Sequence, residues 1–175
     1  MKTSIALIGF MGVGKTAVGK ALAGRLGKEF VEVDALIARK AGKTIPAIFR
    51  EDGEPAFREL EIEITGQASR KKNAVIACGG GVVLNQVNID RLRRESRIVC
   101  LTAPPEIIIK RASRRAGSRP LLDVADIAPE VTRLLEIREP LYREAADITV
   151  NTSGRSIGRV VTEIISRIEK HEDCH

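Results

Sequence analysis

The sequence predicts a three-layer α/β fold in which a five-stranded parallel sheet carries helices on both faces. Three observations predict it. Five short apolar runs recur along the chain, helical stretches separate them, and the first run opens into a glycine-rich turn followed by an amphipathic stretch. Runs that are apolar on both sides belong to strands covered on both faces, and parallel pairing needs a crossover connection, usually a helix. A length of 175 residues fits one domain, 1–175, that buries roughly 70% of the surface its unfolded form would expose.

Taken in order, strands are expected at Ser4–Ile8, Phe30–Val33, Ala74–Ala77, Ile98–Leu101 and Ile148–Val150. Helical periodicity marks Lys15–Leu26, Asp34–Ala41, Glu54–Arg70, Val87–Arg94, Pro105–Arg114, Pro129–Ala145 and Ile157–Glu169. Pro105 and Pro129 fall where a first helical turn tolerates proline. Two segments read as excursions. Gly42 to Gly53, with Thr44 and Pro46 as a helix start, forms a short helical insertion, so that 34–61 is expected to be a substrate-binding region. The segment 112–126, carrying Arg114, Arg115, Gly117, Arg119 and Pro120 without clean periodicity, is expected to be a lid. Ordinary surface loops are the alternative for both.

Composition narrows the class of ligand. The net charge is +6, which suits an anion, but there is no tryptophan, one tyrosine and four phenylalanines. That is a poor supply of stacking platforms, and the arginines are scattered, so small anions are favoured over nucleic acid. Cys78, Cys100 and Cys174 have no metal-ligand spacing and are odd in number, which argues against a disulfide framework or a zinc site. The first residues are strand-like rather than a leader, and no apolar run approaches the ~18 residues that cross a bilayer. A soluble, cytoplasmic protein with no membrane contact is expected, and a monomer is the default.

The octapeptide Gly9-Phe10-Met11-Gly12-Val13-Gly14-Lys15-Thr16 has the spacing and context of a phosphate-binding loop. Its glycines let backbone amides turn toward the phosphates, Lys15 brings a mobile positive charge and Thr16 offers a hydroxyl to Mg²⁺. Gly12, Val13, Gly14 and Ala17 complete the cradle. No apolar strand ends in the aspartate of a motor's magnesium strand, and no Asn-Lys-x-Asp guanine signature occurs. Transfer of the γ-phosphate is therefore favoured over motor or switch use.

Transfer needs a carboxylate near the acceptor. Glu32 and Asp34 in "FVEVDAL" fall on one side of the second strand if it extends that far, one for Mg²⁺ and one for the acceptor hydroxyl. Asp34 is equally suited to cap the helix from Ala35 onward. Arg58 and Arg138 lie on helices, where a guanidinium fork grips a carboxylate, although either also suits a surface ion pair. Gly79-Gly80-Gly81 directly follow a buried strand, which implies close backbone approach by a ligand.

In this order and spacing, the phosphate loop, Asp34, "FRELE" at Phe57–Glu61, "GGG" at Gly79–Gly81, "RPLL" at Arg119–Leu122, "REPLY" at Arg138–Tyr142 and "NTSG" at Asn151–Gly154 resemble shikimate kinase. The resemblance covers Lys2 to about Ile168. It implies a P-loop kinase fold, ATP and Mg²⁺, and shikimate as acceptor. Asp34 would contact the ring hydroxyls and orient or deprotonate the attacking one. Arg58 and Arg138 would hold the carboxylate, Gly80 and Gly81 would present N–H groups, and Phe49 and Phe57 would wall the ring. Lys15 and Arg119 would neutralise the transferring phosphoryl group, and Arg111 and Arg155 would lie near the adenine. The chain departs from the family at Glu32, where an aspartate is usual beside Thr16 at the metal, and at Cys78, where a small polar residue is usual. Cys78 has no evident basic neighbour and is assigned to packing. The rival readings are a gluconate or nucleoside monophosphate kinase and a catalytically silent nucleotide-binding regulator.

Overall fold

The structure is a computed structural model and describes residues 2–114 and 126–173. Five strands, β1 (Ser4–Ile8), β2 (Glu29–Glu32), β3 (Ala74–Ala77), β4 (Ser96–Thr102) and β5 (Ile148–Asn151), form one sheet in the order β2-β3-β1-β4-β5. Every neighbouring pair is parallel. Successive residues of a strand point to opposite faces. All of Ser4–Ile8 and all of Ala74–Ala77 are buried, so the centre of the sheet is covered on both sides.

The helices are α1 (Lys15–Leu26), α2 (Val33–Ala41), α3 (Ile45–Glu51), α4 (Gly53–Ala68), α5 (Gln86–Glu95), α6 (Pro105–Ser113), α7 (Ile127–Ala145) and α8 (Ile157–Asp173). α1 packs on β2 and β3 and against α8; α5 and α7 pack on β4; α4 packs on α2, α3 and α5. Their starts are chemically specified. Thr44 accepts from the Ala47 N–H with Pro46 in the first turn of α3, and Asn85 and Asp126 accept from Val87 and Ala128 at the heads of α5 and α7. None of the described helices is long and apolar enough to cross a membrane.

The expected elements are all found, with shifts at their ends that have physical causes. β4 extends beyond Ile98–Leu101 at both ends, because pairing to β1 begins at Ser96 and pairing to β5 runs to Thr102. Neither Ser96 nor Thr102 is marked by hydropathy. β2 is shorter at its end: pairing with β3 stops at Glu32 opposite Ala77, where β3 gives way to the glycine loop. Val33 has no partner strand and starts α2 instead. Asp34 therefore lies in the first turn of α2, and Glu32 occupies the capping position without a side-chain cap bond. This corrects both the strand alternation invoked for Glu32 and Asp34 and the capping role considered for Asp34. A 3-10 turn at Val82–Leu84 after the glycine loop was not anticipated.

In this strand order β1 is the last strand on one side of a reversal, with its continuation leading first to β2 at one edge and later to β4 and β5 at the other. Ligands bind open α/β sheets beyond the carboxyl ends of strands at such a switch point. The glycine-rich loop, the head of α2 and the Gly79–Gly81 loop all emerge there.

Candidate active site

A cleft of about 640 Å³ opens over the carboxyl end of the sheet. Every residue expected at the site from the sequence lines it, from the loop residues Gly12–Ala17 to Arg155, except Arg119. Arg119 and most of the expected lid lie outside the described residues.

At one end is the phosphate loop. Gly9, Gly12 and Gly14 adopt φ of 139°, 85° and 103°, a region that L side chains rarely enter. The chain thereby turns its amides inward and delivers them to the head of α1, whose first turn carries no acidic residue. A helix start of this kind favours anions. Lys15 Nζ donates to the carbonyls of Gly9 at 2.7 Å and Phe10 at 2.9 Å, which folds the ammonium back over the loop. Thr16 Oγ1 donates to Glu32 Oε1 at 2.5 Å. The two residues assigned to Mg²⁺ are thus in direct contact despite the longer glutamate side chain.

The far wall of this end is tied to the loop by hydrogen bonds. Arg111 donates to the Gly12 carbonyl at 3.1 Å and to Thr152 Oγ1 at 3.4 Å, and Thr152 Oγ1 donates to the Val13 carbonyl at 2.8 Å. Arg155 pairs with Glu163 and donates to the Asn151 carbonyl. Ile157 and Val160 supply apolar surface beside it.

The other end is built by α2, α3, α4, α7 and the glycine loop. Phe49 and Phe57 stack with ring centroids 4.6 Å apart. Arg58 Nη1 donates to Glu61 at 2.8 Å, while its Nε and Nη2 donate to Glu54 at 3.3 and 3.0 Å. Arg138 is 2% exposed, has an unpartnered Nε, lies over the Phe10 ring at 5.8 Å and makes no carboxylate pair among the described residues. A buried cation without a carboxylate is costly, and its position in the cleft suits an anionic ligand.

The three glycines now have specific causes. A Cβ on Gly79 would meet Glu61 Oε1 at 2.9 Å and Asp34 Oδ1 at 3.0 Å; one on Gly80 would meet the Met11 backbone nitrogen at 3.3 Å; one on Gly81 would lie inside 3.0 Å of the Arg58 guanidinium. None of the three has positive φ. They are small because the site's own side chains and the phosphate loop press against that loop, in addition to any ligand passing over it.

Two carboxyl groups converge beside Gly79. Asp34 Oδ1 and Glu61 Oε1 are buried and without hydrogen-bond partners. Burial raises Asp34 above the ordinary carboxylate range, with Lys15 pulling the other way. Burial likewise raises Glu61, opposed by Arg58. The Cys78 thiol is pushed up to about 12 by burial, in keeping with a packing role.

Glu61 is a site residue that sequence reasoning quoted within a motif but gave no role. Its signal was its position: Phe57, Glu61, Ile64, Thr65 and Ala68 form the buried face of α4, so a charged residue interrupts a helical stripe. Because the folded state raises its pKa, the stability Glu61 contributes is complete below the ordinary value of 4.5 and is lost as pH rises through the raised value. The melting temperature of Glu61→Gln minus that of the unmodified protein should therefore climb as pH rises from about 4; a difference flat across that range would contradict the buried carboxyl. Thr152 and Tyr142 were likewise quoted within motifs, "NTSG" and "REPLY", and given no role; Tyr142 has the further signal of lying four residues after Arg138.

Comparison with known proteins bears on this geometry. The family model for shikimate kinase matches residues 11–169. The chain belongs to the shikimate kinase family. A shikimate kinase of Caldanaerobacter subterraneus subsp. tengcongensis is 46% identical over 162 residues, covering 93% of this chain and 94% of the relative. The solved shikimate kinase of Acinetobacter baumannii in complex with shikimate superposes with a TM-score of 0.93 at 38% identity, over 97% of this chain and 94% of that one. A gluconokinase of Sinorhizobium meliloti, at 18% identity and a TM-score of 0.60, shares the fold alone.

Proposed function

We propose that the protein transfers the γ-phosphate of ATP to the 3-hydroxyl of shikimate, giving shikimate 3-phosphate and ADP. The observation that carries this beyond family membership is the pairing, across one cleft, of a phosphate loop with a buried acidic group and a buried arginine that has no carboxylate partner among the described residues. A phosphoryl donor, a proton acceptor and a seat for a carboxylic acid then face one another.

In this reading Arg58 and Arg138 grip the shikimate carboxylate, the Gly80 and Gly81 N–H groups add to that hold, and Phe49 and Phe57 flank the ring. Asp34 takes the proton as the hydroxyl oxygen bonds to the γ-phosphorus and the bond to the β,γ-bridging oxygen breaks, leaving ADP. Lys15 offsets the charge on the migrating phosphoryl group, and Arg119 is assigned to the same task. Arg111 and Arg155 border the base. Such a transfer is lowered in barrier chiefly by alignment and fixed charge.

Thr16 and Glu32 suit Mg²⁺. Both present hard oxygen donors at the mouth of the phosphate loop, and among the described residues no cluster of His, Cys, Asp or Glu forms a metal cage. Mg²⁺ is usually held by one or two protein oxygens together with substrate phosphates and waters. When bound, it supplies charge compensation for the phosphates.

The test is ADP release with ATP and Mg²⁺ against shikimate, quinate, gluconate, AMP and CMP. Release with shikimate should exceed each of the others by roughly 100-fold or more in kcat/KM. Comparable turnover of gluconate or a nucleotide would reassign the acceptor, and no acceptor-dependent release would point to a silent regulator.

A further inference from the structure

Tyr142 is the only tyrosine of the chain, which also lacks tryptophan. It sits on α7 four residues beyond Arg138, on the same face of the helix. The residue is 5% exposed, and its hydroxyl donates to the carbonyl of Gly80. Burial pushes the phenol above its ordinary value, and the nearby positive charge of Arg138 opposes that shift. The hydroxyl thus ties α7 to the glycine loop at the point where that loop meets the buried arginine.

The joint reaches further on the loop side. Gly80 lies against the Met11 backbone of the phosphate loop and against Arg138 Nη1. The Gly80 peptide is therefore backed by the phosphate loop on one side and faces the arginine on the other. Phenylalanine would fill the same apolar volume, so packing alone gives no reason for the oxygen. A buried phenol must be matched by a partner, and here the partner is the carbonyl of Gly80, next to Arg138, both residues read above as acceptor contacts.

We propose that Tyr142 is a positioning residue for the acceptor acid: its hydroxyl holds the Gly80 peptide and the Arg138 guanidinium in register so that both face one carboxylate. This rests on the reading of Arg138 and Gly80 as acceptor contacts. Preorganising two donors removes an ordering cost that the ligand would otherwise bear. The effect falls on affinity for the acceptor, because both groups are read as acceptor contacts and neither belongs to the phosphate loop.

Tyr142→Phe, Arg138→Ala and the unmodified protein separate the possibilities. Tyr142→Phe should raise the KM for shikimate about tenfold, leave the KM for ATP within about twofold, and lower kcat by less than it raises KM; melting curves check that the variant folds. With no tryptophan present, intrinsic emission reports Tyr142 alone. Shikimate added without nucleotide should change the emission of the unmodified protein and leave that of Arg138→Ala unchanged, a readout that stands even if Tyr142→Phe fails to fold. An unaltered shikimate KM in Tyr142→Phe, beside a raised one in Arg138→Ala, overturns the inference and keeps the acceptor site. An unaltered KM in Arg138→Ala overturns the acceptor site and the inference with it, and emission that does not respond to saturating shikimate overturns the inference.

Discussion

Asp34→Asn is expected to lower kcat by about 10²- to 10⁴-fold while leaving the fold and ATP affinity in place. Asparagine keeps the shape of the side chain but cannot take a proton from a hydroxyl. The site makes this a clean exchange, because Asp34 Oδ1 is buried with no hydrogen-bond partner and the residue caps no helix. Removing a buried charge that burial already disfavours should leave the melting temperature at or above that of the unmodified protein. Lost turnover then cannot be attributed to a weakened fold. The neighbouring carboxylate gives the contrast. Glu61 is engaged by Arg58, so its replacement should act on shikimate affinity, whereas replacement of Asp34 acts on kcat. Steady-state kinetics in both substrates, with nucleotide binding followed by calorimetry, reads the split. Near-normal turnover in Asp34→Asn would remove this residue from the chemistry.

Much of this arrangement was legible because the phosphate loop and sheet rest on local rules. Gly9, Gly12 and Gly14 are required by backbone angles that only glycine enters readily, and the loop's meaning follows from what precedes and follows it. The buried strands announce themselves as apolar runs. What stayed hidden depends on partners distant in sequence. β2 ends at Glu32 because β3 has nothing further to pair with, which no inspection of "FVEVDAL" reveals. Glu61 meets Arg58 and Gly79, Tyr142 meets Gly80, and Thr152 meets Val13, 139 residues away. Each is chemically ordinary until the fold brings its partner to it. Gly79–Gly81 were flagged correctly as a place of close approach, yet the groups that approach are Asp34, Glu61, Arg58 and Met11. Glu32 differs from the family's aspartate and still reaches Thr16, since the side chain starts at the end of a strand whose position is fixed by β3.

Gly9→Ala should be the most damaging substitution in the phosphate loop, for a reason that joins fold to function. Gly9 follows β1 directly and has φ of 139°, where a Cβ is strained whatever the space. The space is also taken: the new carbon would lie inside 3.0 Å of the Leu101 carbonyl oxygen and 3.1 Å from a methyl group of Val13. Leu101 belongs to β4, the sheet neighbour of β1, so its oxygen cannot swing aside as a side-chain tip would. Either the loop shifts or the strand pair parts at this end. The carbonyl of Gly9 also receives Lys15 Nζ, so a shifted loop misplaces the cation proposed for the phosphates. A loss on the order of 3 kcal/mol is expected, lowering the melting temperature by about 6–12 °C, together with weakened ATP binding. Gly24→Ala supplies the control in the helix that follows. It has nothing within 4 Å of the added carbon and no positive φ, so it should gain about 0.5–1 kcal/mol of stability and leave turnover unchanged. Thermal melts and nucleotide titrations of the two variants decide the matter. Equal melting temperatures and equal ATP affinity would mean that β4 does not press on the phosphate loop as the geometry requires.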